Sequence, residues 1–76
     1  MVTFKLIKIE DGFYYYEIYP EGDTIDKGLL VFNPEKKILK ERIDPKMYGN
    51  DWIAKAISGL KDDEGNYKES GMVAWY

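Results

Sequence analysis

Asp11-Gly12-Phe13-Tyr14-Tyr15-Tyr16-Glu17-Ile18-Tyr19-Pro20-Glu21-Gly22-Asp23 decides the fold. Asp-Gly is the signal of a tight hairpin, because positive φ costs glycine little. Phe13 to Tyr19 is dense in the aromatic residues that suit a pleated surface, and Pro20-Glu21-Gly22-Asp23 reverses the chain again. Working outward, Val2 to Ile9 alternates with Val2, Phe4 and Leu6 on one face and reads as the preceding strand. Thr24 to Phe32 reads as a third strand. Asn33-Pro34-Glu35-Lys36 then fits a type I turn, with Asn first and Pro second. Lys37 to Ile43 reads as a fourth strand, with Leu39 and Ile43 facing one way and Lys40 and Arg42 the other. Four short strands joined by short turns make an antiparallel meander.

The period changes after Asp44-Pro45. Trp52, Ile53, Ala56, Ile57 and Leu60 recur at helical spacing as one apolar stripe. Asn50 or Asp51 suits the cap, Asp51 and Lys55 stand at i,i+4, and Gly59 and Lys61 suit the end. An earlier start with Asp44 as cap and Pro45 in the first turn would be interrupted by Gly49-Asn50, so the later start is preferred. Lys61 to Gly71 is polar and reads as a loop. Met72 to Tyr76 reads as a short strand or docked tail, with Trp75 as anchor and Gly71 as the bend. The expected fold is α+β: a four-stranded antiparallel meander, one helix from the C-terminal half on one face, and a short C-terminal strand or docked tail. All 76 residues form a single small domain in this reading.

One helix covers one face of a sheet, which should leave the other face polar. The middle strands disobey. Phe13, Tyr15 and Tyr19 alternate with Tyr14, Tyr16 and Ile18, and Leu29 and Val31 alternate with Leu30 and Phe32. Something besides the helix is expected on the second face: the C-terminal run, a second subunit or a ligand. Tyr14 and Tyr16, or Tyr15 and Tyr19, are therefore candidate interaction residues. Lys40, Arg42, Trp75 and Tyr76 join them.

Composition limits the chemistry. The chain has 45% hydrophobic and 33% charged residues, a globular balance, and aromatics reach 16%. Histidine and cysteine are both absent. That removes the usual general base, the Ser-His and Cys-His pairs, disulfides and thiolate zinc sites. The glycines follow no phosphate-loop spacing. Asp62-Asp63-Glu64-Gly65-Asn66 lacks the carboxylate spacing of a calcium loop and reads as a solvated turn. Glu17, an odd carboxylate among aromatics, is expected to reach solvent or pair with Lys5 or Lys27. No catalytic, cofactor or metal site is expected. With no cysteine, a reducing cytoplasm is the natural compartment, and Met1 to Lys5 reads as structure and not as a signal peptide.

Net charge is −3, which disfavours a general polyanion binder. Residues 10–26 carry six acidic side chains and no basic one, whereas residues 36–46 carry five basic against two acidic. A Tyr-rich strand can stack bases, but its acidic flanks repel phosphate, so single-stranded nucleic acid is the weaker alternative. A non-enzymatic module that binds a protein partner, or a second copy of itself, is the leading expectation.

The last third of the chain also carries Asp51-Trp52, the helix positions Ala56 and Ile57, and the closing Gly71-Met72-Val73-Ala74-Trp75-Tyr76. On these residues it resembles a group of small uncharacterised bacterial proteins, common among Gram-positive organisms, that end on such a tail after an amphipathic helix. The approach to the tail, Tyr67-Lys68-Glu69-Ser70-Gly71, departs from the Phe-Pro-Glu-Glu-Gly-like stretch of that group. The resemblance implies a class of unknown function and no catalytic residue.

Overall fold

A computed structural model describes residues 1–49 and 51–74. It contains strands β1 (Val2–Glu10), β2 (Phe13–Pro20), β3 (Gly28–Asn33) and β4 (Ile38–Ile43), then helix α1 (Asp51–Ile57) and strand β5 (Ser70–Val73). The five strands form one antiparallel sheet in the order β4-β3-β2-β1-β5. The α+β meander expected from the sequence is present, and the C-terminal run adds a fifth strand beside β1.

Turn chemistry sets the meander. Asp11 and Gly12 have φ of 53° and 82°, and Glu21 and Gly22 have 53° and 77°, so both turns carry the paired positive φ that matches strand twist. Asn33 is buried, and its Oδ1 accepts the amides of Glu35 and Lys36 at 3.0 Å each, which closes the β3–β4 turn.

Strand 3 starts later than its β-branched residues predict. Asp23 accepts the amides of Ile25 (2.8 Å) and Asp26 (3.3 Å), holding 23–26 in a turn. Asp26 in turn accepts the amides of Lys46 (2.8 Å) and Met47 (2.7 Å), which ties this loop to the one after β4. Strand 4 departs from simple alternation. Val31 pairs with Glu41 but Phe32 pairs with Leu39, leaving Lys40 as the extra residue of a bulge. Leu39 therefore lies on the helix face opposite Phe32, and Ile43 on the other face opposite Leu29. The expectation that Leu39 and Ile43 share a face fails for this reason, as does the pairing of Lys40 with Arg42.

Helix α1 begins at Asp51, in accord with the later start; the alternative cap Asn50 lies outside the described residues. Ile53 and Ala56 are fully buried, and Leu60 continues their stripe one turn beyond the helix. They pack with Val2, Phe4, Tyr16, Ile18 and Leu30 in one core. Residues 61–67 close on themselves, because Asp62 accepts the amides of Glu64 and Asn66 at 2.9 Å each. The acidic loop spends its first carboxylate on its own backbone.

Gly71 is not a bend. It sits within β5 opposite Phe4, and an added Cβ would lie 2.7 Å from the Phe4 Cζ. Glycine is required there because the buried Phe4 ring occupies the space a side chain would need.

The helix packs against β1, β2 and β5. On the helix side β3 gives Leu30 to the core while all six residues of β4 stay exposed, and among the described residues no helix or strand lies over the opposite face of the sheet.

Candidate functional site

Cross-strand register assembles the open face. Tyr15 stands between Lys8 of β1 and Val31 of β3, and Val31 in turn faces Glu41 of β4. Glu17 stands between Lys5 and Leu29, with Ile43 beyond, while Thr3 lies between Tyr19 and Met72. Val31 is fully buried in the middle of this face, whereas Ile43 and Met72 at the margins are 49% and 59% exposed.

Tyr15 is the centre of this face. Lys8 Nζ lies 4.4 Å from its ring centroid, and Lys40 Nζ lies 6.0 Å from that centroid and 3.5 Å from the Tyr15 hydroxyl. Lys40 is also 5.1 Å from the Phe13 ring centroid. Both ammonium groups are drawn to the negative faces of the rings. The β4 bulge is what turns Lys40 to this side. Lys8 is held further by Glu10 at 2.9 Å, and that contact raises the lysine pKa and lowers the glutamate's.

Glu17 anchors the other end. Its carboxylate accepts a hydrogen bond from the Tyr19 hydroxyl at 2.7 Å and pairs with Lys27 at 2.7 Å. The Lys27 contact, then the Tyr19 hydroxyl, hold Glu17 below the usual carboxylate range. Tyr19 is pushed up to about 12, chiefly by burial and then by Glu17. The pair is a fixed ion-paired corner. Lys27 is the partner Glu17 takes of the two expected.

Tyr15, Tyr19 and Lys40 therefore come together, as the open-face alternative requires. Tyr14 and Tyr16 do not join them. Tyr16 is fully buried under the helix, with its hydroxyl donating to the Lys68 carbonyl at 2.7 Å, and burial pushes its pKa up to about 12. Tyr14 lies with its ring 6.0 Å from Phe32 and 5.3 Å from Tyr67. Arg42 falls on the helix side opposite Leu30, with Nε 3.3 Å from Asp44. Trp75 and Tyr76 lie outside the described residues.

No family model, no curated protein and no solved structure matches this chain. Among the described residues no group of three or more acidic side chains is placed to hold a metal ion, and no helix is long and apolar enough to cross a membrane.

A second feature lies on the helix side. Leu30, Phe32, Leu39, Ile57, Leu60 and Tyr67 line an apolar groove of about 390 Å³. It opens between the end of the helix, at Ile57, and Phe32 and Leu39 of β3 and β4. Next to it, a depression of about 360 Å³ shares Phe32, Leu39, Lys61 and Tyr67 and adds Lys37. Sequence reasoning put Phe13 on the face of Tyr15 and Tyr19 without naming it a candidate, and it missed Lys8 and Tyr67. Lys8 follows an irregularity in β1 register between Leu6 and Lys8, and Tyr67 sits alone in a polar loop. Neither position carries a local signal.

Proposed function

We propose that this chain is a non-enzymatic protein-interaction module that takes its partner on the open face of the sheet. One observation carries the reading: Phe13, Tyr15 and Leu29 stand half-buried around a fully buried Val31, Ile43 and Met72 at the margins are largely exposed, and no helix or strand lies over them among the described residues. Tyrosine supplies large contact area with two side-chain torsions to order, and its polar tip tolerates water in the free state. The rim is charged on both sides, with Lys8, Glu10, Lys40 and Glu41, which suits orientation of a partner more than raw affinity. The partner is another protein or a second copy of this chain. A cytoplasmic setting accords with the absence of cysteine.

A specific observation also favours single-stranded nucleic acid as the second reading. Two lysines flank the Tyr15 ring, the combination that stacks a base and meets its phosphate. Glu17 and Glu41 on the same face oppose it.

Two measurements separate the readings. The mass of the free protein in solution reports self-association, and a dimer through this face becomes a monomer in Tyr15→Ser and Ile43→Asp. A dye-labelled oligothymidylate titrated at low salt reports the second reading. Salt-sensitive micromolar binding, lost in Lys8→Glu and Lys40→Glu, would favour nucleic acid over protein. No binding leaves the protein reading in place.

A further inference from the structure

The helix-side groove is independent of the open face and differs from it in charge. Its walls are apolar: Leu30 and Phe32 from β3, Leu39 from β4, Ile57 from α1, and Leu60 and Tyr67 beyond. Leu39 and Ile57 are 59% and 47% exposed, so the apolar surface is presented and not sealed. The polar element at its end is cationic. Lys61 lies 5.3 Å from the Tyr67 ring centroid, and Lys37 lines the adjoining depression. No carboxylate lines either hollow, and neither lysine forms an ion pair among the described residues. Lys61 stands next to the acidic run Asp62-Asp63-Glu64, yet the charges that line the hollows themselves are cationic.

The groove also borders β4, the outer strand of the sheet, whose six residues are all exposed. A strand edge beside a hydrophobic hollow is the arrangement by which an extended peptide adds main-chain hydrogen bonds and drops alternate side chains into a pocket. The Lys40 bulge leaves Ile38 and Leu39 as the stretch of edge nearest the groove. We infer that this groove binds an extended acidic peptide segment of another protein, with an aliphatic or aromatic residue seated against Leu39 and Ile57 and a neighbouring carboxylate meeting Lys37 and Lys61. Residues two apart on an extended chain share a side and lie about 6.8 Å from each other, which suits one apolar and one acidic anchor.

The test uses the full chain, isotopically labelled, and two probe peptides: Thr-Phe-Thr-Glu-Thr, whose apolar and acidic anchors stand two residues apart, and its uncharged counterpart Thr-Phe-Thr-Gln-Thr, both with blocked ends. Octanoate serves as a third probe, an apolar body with a carboxylate but no peptide edge. The acidic peptide should shift the amides of Leu39, Ile57, Ser58 and Tyr67 at millimolar concentration and bind at least about fivefold more tightly than the Gln peptide, as two part-exposed ion pairs allow. Lys37→Glu with Lys61→Glu should abolish that preference while the amide spectrum of core residues such as Ile18 and Ile53 stays native. Equal affinity for both peptides, no shift at the groove, or octanoate binding where the peptide does not, each overturns the inference. Shifts confined to Tyr15 and Val31 would overturn it while leaving the open-face proposal standing.

Discussion

Tyr16 shows how one side chain joins distant parts of this chain. Its ring stacks 6.0 Å from Phe32 at 11° and meets Phe4 edge-on at 5.8 Å, while its hydroxyl reaches the Lys68 carbonyl. Tyr16→Phe keeps the rings and loses the hydrogen bond. A loss of about 1 kcal/mol is expected in urea unfolding, with the denaturant slope unchanged. No loss would mean that the hydroxyl is not holding the loop before β5. Titration works at the same scale. The folded-state pKa of Glu17 is lowered, first by Lys27, from an ordinary value of 4.5. Its stabilising contribution is complete above that value and is lost as pH falls through it toward the depressed one. Glu17→Gln should therefore flatten the acid side of the melting temperature against pH. Tyr16 and Tyr19 have the opposite sign: both are raised from 10.0 to about 12, burial being the first cause. Stability they confer is complete below 10 and disappears as pH rises from there toward 12. Circular dichroism against pH reads both limbs.

Among the elements, β5 depends on two glycines more than on its own residues. Gly71 leaves room for the Phe4 ring, and Gly59, after the helix, leaves room for Val73, whose Cγ2 stands where a Gly59 Cβ would lie. Gly71→Ala should cost about 2 kcal/mol by overpacking, since Phe4 is buried and cannot swing aside. A mild effect, under about 0.5 kcal/mol, would show that β5 is loosely paired. A chain ending at Gly71 loses Val73 and part of the pairing to β1, so its melting temperature should fall. These elements also mark what is readable from sequence. The meander was legible because Asp11-Gly12, Glu21-Gly22 and Asn33-Pro34 carry turn chemistry locally, and the helix stripe because its period is 3.6. The β4 bulge was not. It adds one residue between Leu39 and Glu41 without any glycine or proline to announce it, and it reverses the face of everything before it. That single insertion decides that Lys40 joins Tyr15 while Leu39 joins the groove. The choice between Tyr14 with Tyr16 and Tyr15 with Tyr19 was likewise open, since both sets alternate equally well. Helix placement resolves it, and helix placement is a tertiary fact.

At the scale of the molecule, a five-stranded sheet with one short helix has more apolar surface than it covers. The helix packs over β5, β1 and β2 on one side and shares the core with Leu30 of β3. The groove over β3 and β4, and the aromatic floor on the opposite side, remain presented. Monomeric soluble proteins rarely expose large contiguous apolar patches unless something binds them. The central claim is that the face around Tyr15 carries the partner. It is tested most directly by native-cytosol capture with immobilised wild-type chain, Tyr15→Ser, Ile43→Asp and, from the helix side, Ile57→Asp, each first shown to be folded. The account predicts a partner retained by wild type and by Ile57→Asp and lost from both open-face variants. If every partner retained by wild type stays bound to Tyr15→Ser and Ile43→Asp, the account is contradicted, whereas a partner lost from Ile57→Asp alone belongs to the groove and not to this face.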